Sequence, residues 1–287
     1  MRKRKPLSEL TLMDDYMFYA VMSEKVLLKV LLESILGIKI EYLEYVGRQE
    51  TLKQGYESKG IRLDVYVIDS NGVSYDIEVQ VEDKKDLPKR TRYYHGSIDI
   101  SLLPPGKNYN DLGPSLVIFI TNFDPFGLAR YIYTFQNRCD QERSLCLGDG
   151  AKSVFVNTKG KRGKISRQLR QIIRYLNAGE VSDGYTRQLD GAVNSVKGSE
   201  ERRLEYMRIY TYEDELRAEG RAEGRIEGRA EGRAEGRIEG EIKGRVKTYN
   251  EMGMNADEII KKIGSIFSMS ETEAAEHVED VLALQPA

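Results

Sequence analysis

The sequence predicts an α/β domain, a mixed central sheet flanked by helices, followed by a C-terminal helical extension. Three observations carry this. Helical and strand-like patterns alternate as α-β-β-β-α-β-β-β-α over about residues 1–195. The run PSLVIFITNF, 114–123, is nearly continuous in apolar residues, as strands covered on both faces are. From residue 217 a four-residue repeat replaces this alternation.

The first helix spans about Asp14 to Leu36, with Thr11 and Asp14 at capping-box spacing and Gly37 as its stop. IKIEYLEYV, 38–46, reads as a strand. Two further strands follow, 61–67 and 73–81, joined by a short turn at Ser70-Asn71-Gly72. DLPKRTRYYHGSIDISLL, 86–103, is a helix with Pro88 in its first turn. RYIYTFQNR and KSVFVNT give two more strands after 114–123. A polar helix, SRQLRQIIRYLNAGE, closes the domain.

Residues 217–228 read RAEGRAEGRIEG, and 229–240 repeat them without a difference. Seven glycines at period four cost a helix roughly 1 kcal/mol each relative to Ala. Arg recurs at i,i+4 and so does Glu, which are like-charge spacings. Alone the segment should be a poor helix. Against a partner, the glycine stripe permits close approach and rows of Arg can face rows of Glu. Self-association into a homo-oligomer through 200–250 is one expectation, a flexible linker the other. The division expected is thus 1–195, then 196–246, then a small helical region, 247–287, of two short helices with Ser270 capping the second.

The 287 residues carry a net charge of −2, so nucleic-acid binding must use local patches. No apolar run approaches the ~18 residues of a membrane span. The basic start, MRKRKPLSEL, lacks the apolar stretch of a signal peptide. Cys139, Cys146, His95 and His277 have no zinc-site spacing. We expect reduced packing cysteines, no membrane, and a cytoplasmic location.

The turn region holds the chemistry. Alternation places Asp64 on one face with Arg62 and Tyr66, and Asp76, Glu78 and Gln80 on one face of the next strand. Cross-strand neighbours must share a face, and only a three-residue loop with Gly72 left-handed satisfies that. Asp64 then opposes Glu78, Arg62 opposes Gln80 and Leu63 opposes Val79. Opposed residues have Cβ atoms roughly 4.5–5.5 Å apart, so the two carboxylates repel. A hard divalent cation such as Mg²⁺, often held by one or two carboxylates plus water and phosphate, would compensate. A solvated polar face diluted by Arg62 and Tyr66 is the alternative.

Asp64, then Glu78-Val79-Gln80, resembles the D…(D/E)-x-K signature of PD-(D/E)xK nucleases, with Gln in the Lys place. LMDDYMFYAVM, LDVYVID, YDIEVQ, LPKRTRYYHGSID and GKNYNDLGPSLVIFITNFD, in that order, are similar to the Rpn family. Its members are recombination-promoting nucleases, also described as PD-(D/E)xK family transposases. The resemblance implies a restriction-endonuclease-like core, with Asp64 and Glu78 as metal-binding acids and the Val79 carbonyl as a further ligand. It also implies Gln80 orienting the attacking water. Gln carries no charge, so the cation would have to acidify that water. Asp14 or Asp15 matches an acid of the family's first helix, though helix capping explains that pair equally.

Lys89, Arg90, Arg92 and Tyr94 lie on the helix after the acids. Arg90 and Tyr94, four apart, share a face, and a cation beside an aromatic suits phosphate and base contacts on DNA. A tyrosine in the core under a solvated arginine is the alternative. The activity implied is Mg²⁺-dependent hydrolysis of DNA by an endonuclease. The competing reading is an idle nuclease fold acting as a DNA-binding or self-associating module.

Overall fold

The structure, a computed structural model, describes residues 5–48, 51–52, 61–62, 64–103 and 105–283. The chain divides into two compact units, Met1–Met207 and Arg208–Ala287.

In the first unit, α1 (Asp15–Met22) and α2 (Lys25–Leu36) precede β1 (Leu43–Arg48). The two-residue strands β2 (Thr51–Leu52) and β3 (Ile61–Arg62) pair with each other. Then come β4 (Val65–Asp69), β5 (Ser74–Gln80), α3 (Leu87–Leu102), β6 (Ser115–Thr121), β7 (Ile132–Phe135), β8 (Ala151–Asn157), α4 (Arg167–Ala178) and α5 (Gly184–Gly198). A six-stranded sheet runs in the order β1-β4-β5-β6-β8-β7. β5, β6 and β8 are parallel, and β1, β4 and β7 pair antiparallel. This is the mixed α/β nuclease-like core that the sequence predicts.

Both faces of the sheet carry helices, with β7 and the start of β8 left more exposed. On one, α3 crosses from β5 to β6 and packs Leu87, Tyr94 and Ile98 onto Tyr66, Val117, Phe119 and Phe155. On the other, α1 reaches β5 while α1, α2, α4 and α5 pack on one another. Val117, Ile118, Phe119 and Ile120 are fully buried, as their unbroken apolar run requires.

The β4–β5 turn fixes the register. Asp69 N–H donates to Val73 O at 3.0 Å, leaving Ser70, Asn71 and Gly72 as the loop. The buried Asp69 carboxylate organises it, accepting from Asn71 N at 2.8 Å, Val73 N at 3.0 Å and the Tyr75 hydroxyl at 2.8 Å. Gly72 sits at φ +72° with open space where a Cβ would be, so only the backbone demands glycine. Gly72→Ala should therefore destabilise the first unit by about 1 kcal/mol, read as a lower urea midpoint at unchanged slope.

Three elements differ from expectation. The first helix is two: Ser23 ends α1, and Glu24 turns extended before α2 begins. β1 starts at Leu43 rather than Ile38. Before it, Ile40 N–H bonds the Glu33 carboxylate at 2.9 Å and Glu41 O accepts from Lys29 Nζ at 2.8 Å, so α2 side chains occupy those backbone groups. α5, whose Gly184, Gly191 and Gly198 obscure its pattern, was not expected at all. Gly37 does stop α2, in the left-handed region at φ +67°.

α6 (Glu200–Glu251) is one helix through the whole repeat. Before it enters the second unit, Tyr206 is anchored, its hydroxyl bonding Lys5 O at 2.7 Å. At its far end Ile242 and Val246 pack on α7 (Ala256–Phe267) and α8 (Glu271–Ala283), through Ile259, Ile263, Ala274 and Val278. A nucleus at each end lets helix propagate through residues that would not start one. Ser270 caps α8, accepting from Glu273 N at 3.3 Å. Among the described residues no helix is long and apolar enough to cross a membrane.

Candidate active site

The β4–β5 register holds Val65 opposite Ile77, Tyr66 opposite Asp76 and Val67 opposite Tyr75. Extended by one residue, it brings Asp64 to Glu78. Asp64 N–H donates to Glu78 Oε1 at 3.0 Å, and Val79 N–H donates to Asp64 Oδ2 at 3.3 Å. Each carboxylate therefore takes a backbone N–H from the opposite strand, which offsets part of the repulsion. Leu63, the expected partner of Val79, and the Arg62 side chain lie outside the described residues.

A guanidinium offsets more. Arg90, on the first turn of α3, donates from Nη2 to Glu78 Oε2 at 3.0 Å and from Nη1 to Gln80 Oε1 at 2.8 Å. Nη2 also donates to the Tyr94 hydroxyl at 2.8 Å. The guanidinium carbon lies 5.3 Å from the Tyr94 ring centroid and 5.2 Å from that of Phe119. Gln80 completes its own bonding by donating from Nε2 to Glu82 O at 2.8 Å.

α3 covers the part of this face that holds Asp76 and Glu78, while Asp64, Gln80 and Arg90 are half-buried. Glu78 is 3% exposed and Asp76 fully buried. Among the described residues neither carboxyl oxygen of Asp76 has a hydrogen-bond partner. Burial, then the nearby Asp64 charge, pushes Asp76 well above the usual carboxylate range against the pull of Arg90. Burial and Asp76 likewise push Glu78 up to about 8, although the Asp64 amide, Arg90 and Tyr94 pull it down. The site thus holds acids that favour a proton unless a cation joins them. Asp76 is the acid that sequence reasoning placed on this face without a role.

The remaining candidates fall in different places. Asp14 stands at the N-cap position of α1, but its side chain bonds no helix amide; its Oδ2 accepts from Thr11 N at 2.7 Å and Thr11 Oγ1 at 2.9 Å. Its Oδ1 meets Lys5 Nζ at 2.9 Å. Asp15 Oδ1 accepts from Tyr16 N at 2.8 Å. Lys89 and Arg92 are exposed on α3. Tyr94 is not exposed; its ring belongs to the core under α3, and only its hydroxyl reaches the site. His95 is held between Ser115 Oγ at 2.8 Å and Ser153 Oγ at 3.2 Å, and burial keeps its pKa low. The cysteines do not pack in the core: Cys139 is half-buried and Cys146 exposed in the excursion between β7 and β8.

The donors at the hairpin are carboxylate, amide and carbonyl oxygens, the set a hard cation prefers. Among the described residues no three His, Cys, Asp or Glu side chains converge on one metal position. Two carboxylates with water and phosphate making up the remainder is the coordination Mg²⁺ accepts, so the residues fit such an ion.

Residues 12–137 match the family model of the PD-(D/E)XK nuclease family transposase. The matched segment contains the hairpin, both acids, Gln80 and the whole of α3. No curated protein and no solved structure matches the chain.

Proposed function

We propose, from this nuclease-type core, that the protein is a Mg²⁺-dependent DNA endonuclease of the Rpn kind that promotes recombination. One observation carries the proposal: Asp64 and Glu78, the two acids that the resemblance assigns to the metal, are joined by hydrogen bonds to each other's strands.

Asp64, Glu78 and the Val79 carbonyl would hold the cation, with Asp14 or Asp15 in support. Such an ion supplies Lewis-acid polarisation of a phosphate and lowers the pKa of bound water. Gln80 orients the attacking water with its amide, itself fixed by Arg90 and Glu82 O. Lys89 and Arg92 bind flanking phosphates from the exposed side of α3. Water is the nucleophile and no covalent enzyme intermediate forms. The long α6 helix mates with a second copy through its glycine and charge rows.

The idle-module alternative is favoured by one observation, the Arg90 ion pair already satisfying Glu78. Plasmid nicking separates the two. Supercoiled DNA should be nicked with Mg²⁺ or Mn²⁺ and remain intact in EDTA. Intact plasmid under every divalent cation tried would leave the idle module standing.

A further inference from the structure

The site has three acids, Asp64, Asp76 and Glu78, and a neutral amide, Gln80. Arg90 is the cation whose hydrogen bonds join Glu78 to Gln80. We infer that Arg90, from the helix rather than the strand, supplies the positive charge of the reaction: the end of its fork aligns Glu78 and Gln80, and one of its remaining N–H groups donates to a phosphodiester oxygen. This rests on the nuclease reading and gives that site its substrate-charge partner.

The donor count allows it. A guanidinium has five N–H donors in a rigid fork. Gln80, Glu78 and Tyr94 account for three of them. The side chain is 28% exposed, against 4% for Glu78, so Arg90 is the member of this pair that a ligand from solvent can approach. The position is built rather than incidental. Tyr94 holds the fork from one turn along α3, and the Tyr94 and Phe119 rings lie beside it. A fixed donor of this kind does not reorganise as charge develops on a phosphate, which is what makes it effective. Lysine would substitute only in part, because its ammonium lacks the planar fork that holds two oxygens at fixed angles.

The arrangement also has a cost to the cation. The guanidinium shares Glu78 with any ion bound there, so it lowers affinity for that ion while raising affinity for the phosphate. Removing it should slow the reaction without weakening cation binding, which loss of packing would not do.

The test uses the full-length chain as wild type, Arg90→Met, Arg90→Lys and the double variant Arg90→Met with Gln80→Lys. Mg²⁺ binding is measured by calorimetry without DNA, in mildly alkaline buffer, and plasmid nicking is measured separately. Arg90→Met should bind Mg²⁺ as tightly as wild type or more so, yet nick about a hundredfold slower. Arg90→Lys should nick about tenfold slower. The double variant, with its charge returned to the strand, should recover about tenfold over Arg90→Met. Weaker Mg²⁺ binding by Arg90→Met, or nicking at the wild-type rate, overturns the inference. So does failure of the double variant to recover while it still binds Mg²⁺. Absence of nicking by wild type brings down the nuclease reading instead, and Arg90 is then judged on the Mg²⁺ titration alone. If Arg90→Met does not fold, the Arg90→Lys rate decides: a wild-type value overturns the inference.

Discussion

Asp64→Asn should reduce plasmid nicking by about a thousandfold or more while leaving the melting temperature close to that of wild type. The asparagine keeps an oxygen for Val79 N–H, and the Asp64 N–H that bonds Glu78 belongs to the backbone, so neither hairpin bond depends on the charge. Only the negative charge is removed, and with it one of the two carboxylates offered to the cation. Asp64→Ala should lose the same activity and also cost about 1 kcal/mol, because Val79 N–H loses its acceptor. Rates from gel densitometry and melting curves of both variants check this. An Asp64→Asn protein that nicks within about tenfold of wild type would remove Asp64 from the mechanism.

In EDTA the first unit should become less stable as pH rises from about 5 to about 8. Glu78 has its folded pKa raised to about 8 from the usual 4.5, and Asp76 is raised as well. Over that window the folded state binds more protons than the unfolded chain, so stability falls with rising pH. It is fully present below the unfolded value and is lost progressively up to the folded one. A unit of pKa shift corresponds to about 1.4 kcal/mol, so the loss amounts to a few kcal/mol. Native-state hydrogen exchange of the β5 and β6 amides reads the sheet unit without interference from the helical one. Asp76→Asn should flatten the slope, and saturating Mg²⁺ should reverse it, since the ion binds the deprotonated acids. Protection that is flat or rising with pH in EDTA would contradict the burial of these carboxyls as charged-state liabilities.

The hairpin was legible because two independent constraints met in it. Alternation fixed the faces and thereby a three-residue loop, and Gly72 suited the left-handed position of that loop, so Asp64 could only meet Glu78. The apolar run of β6 likewise admitted one environment. The burial of the acid face was harder to see. Its signal was present on α3, where Leu87, Thr91, Tyr94 and Ile98 recur at four, three and four residues and need an apolar surface. Strand alternation alone marked Asp76, Glu78 and Gln80 as outward, because period two reports polarity and not which layer lies above. Arg90 followed the same course: its i,i+4 relation to Tyr94 was visible, but the fork onto Glu78 and Gln80 depends on how α3 crosses the sheet. The break at Ser23 rests on one extended residue, Glu24, within a run of helix formers, which propensity does not record. The helix through the repeat arises from anchoring at both ends, which a scan of its own composition omits.

Asp64 and Glu78 are fourteen positions apart, whereas pairing β5 with β6 requires the chain to travel through α3 and back. Contacts of short separation close first, with loops of this size joining on a timescale of about a hundred nanoseconds or less. The two acids therefore meet while still hydrated, when water screens them and their mutual presence is harmless. The penalty arrives later, at the moment α3 settles over them and dehydrates Asp76 and Glu78 together. The slowest step of assembly in this domain should accordingly be the landing of that one helix, carrying its arginine in with it.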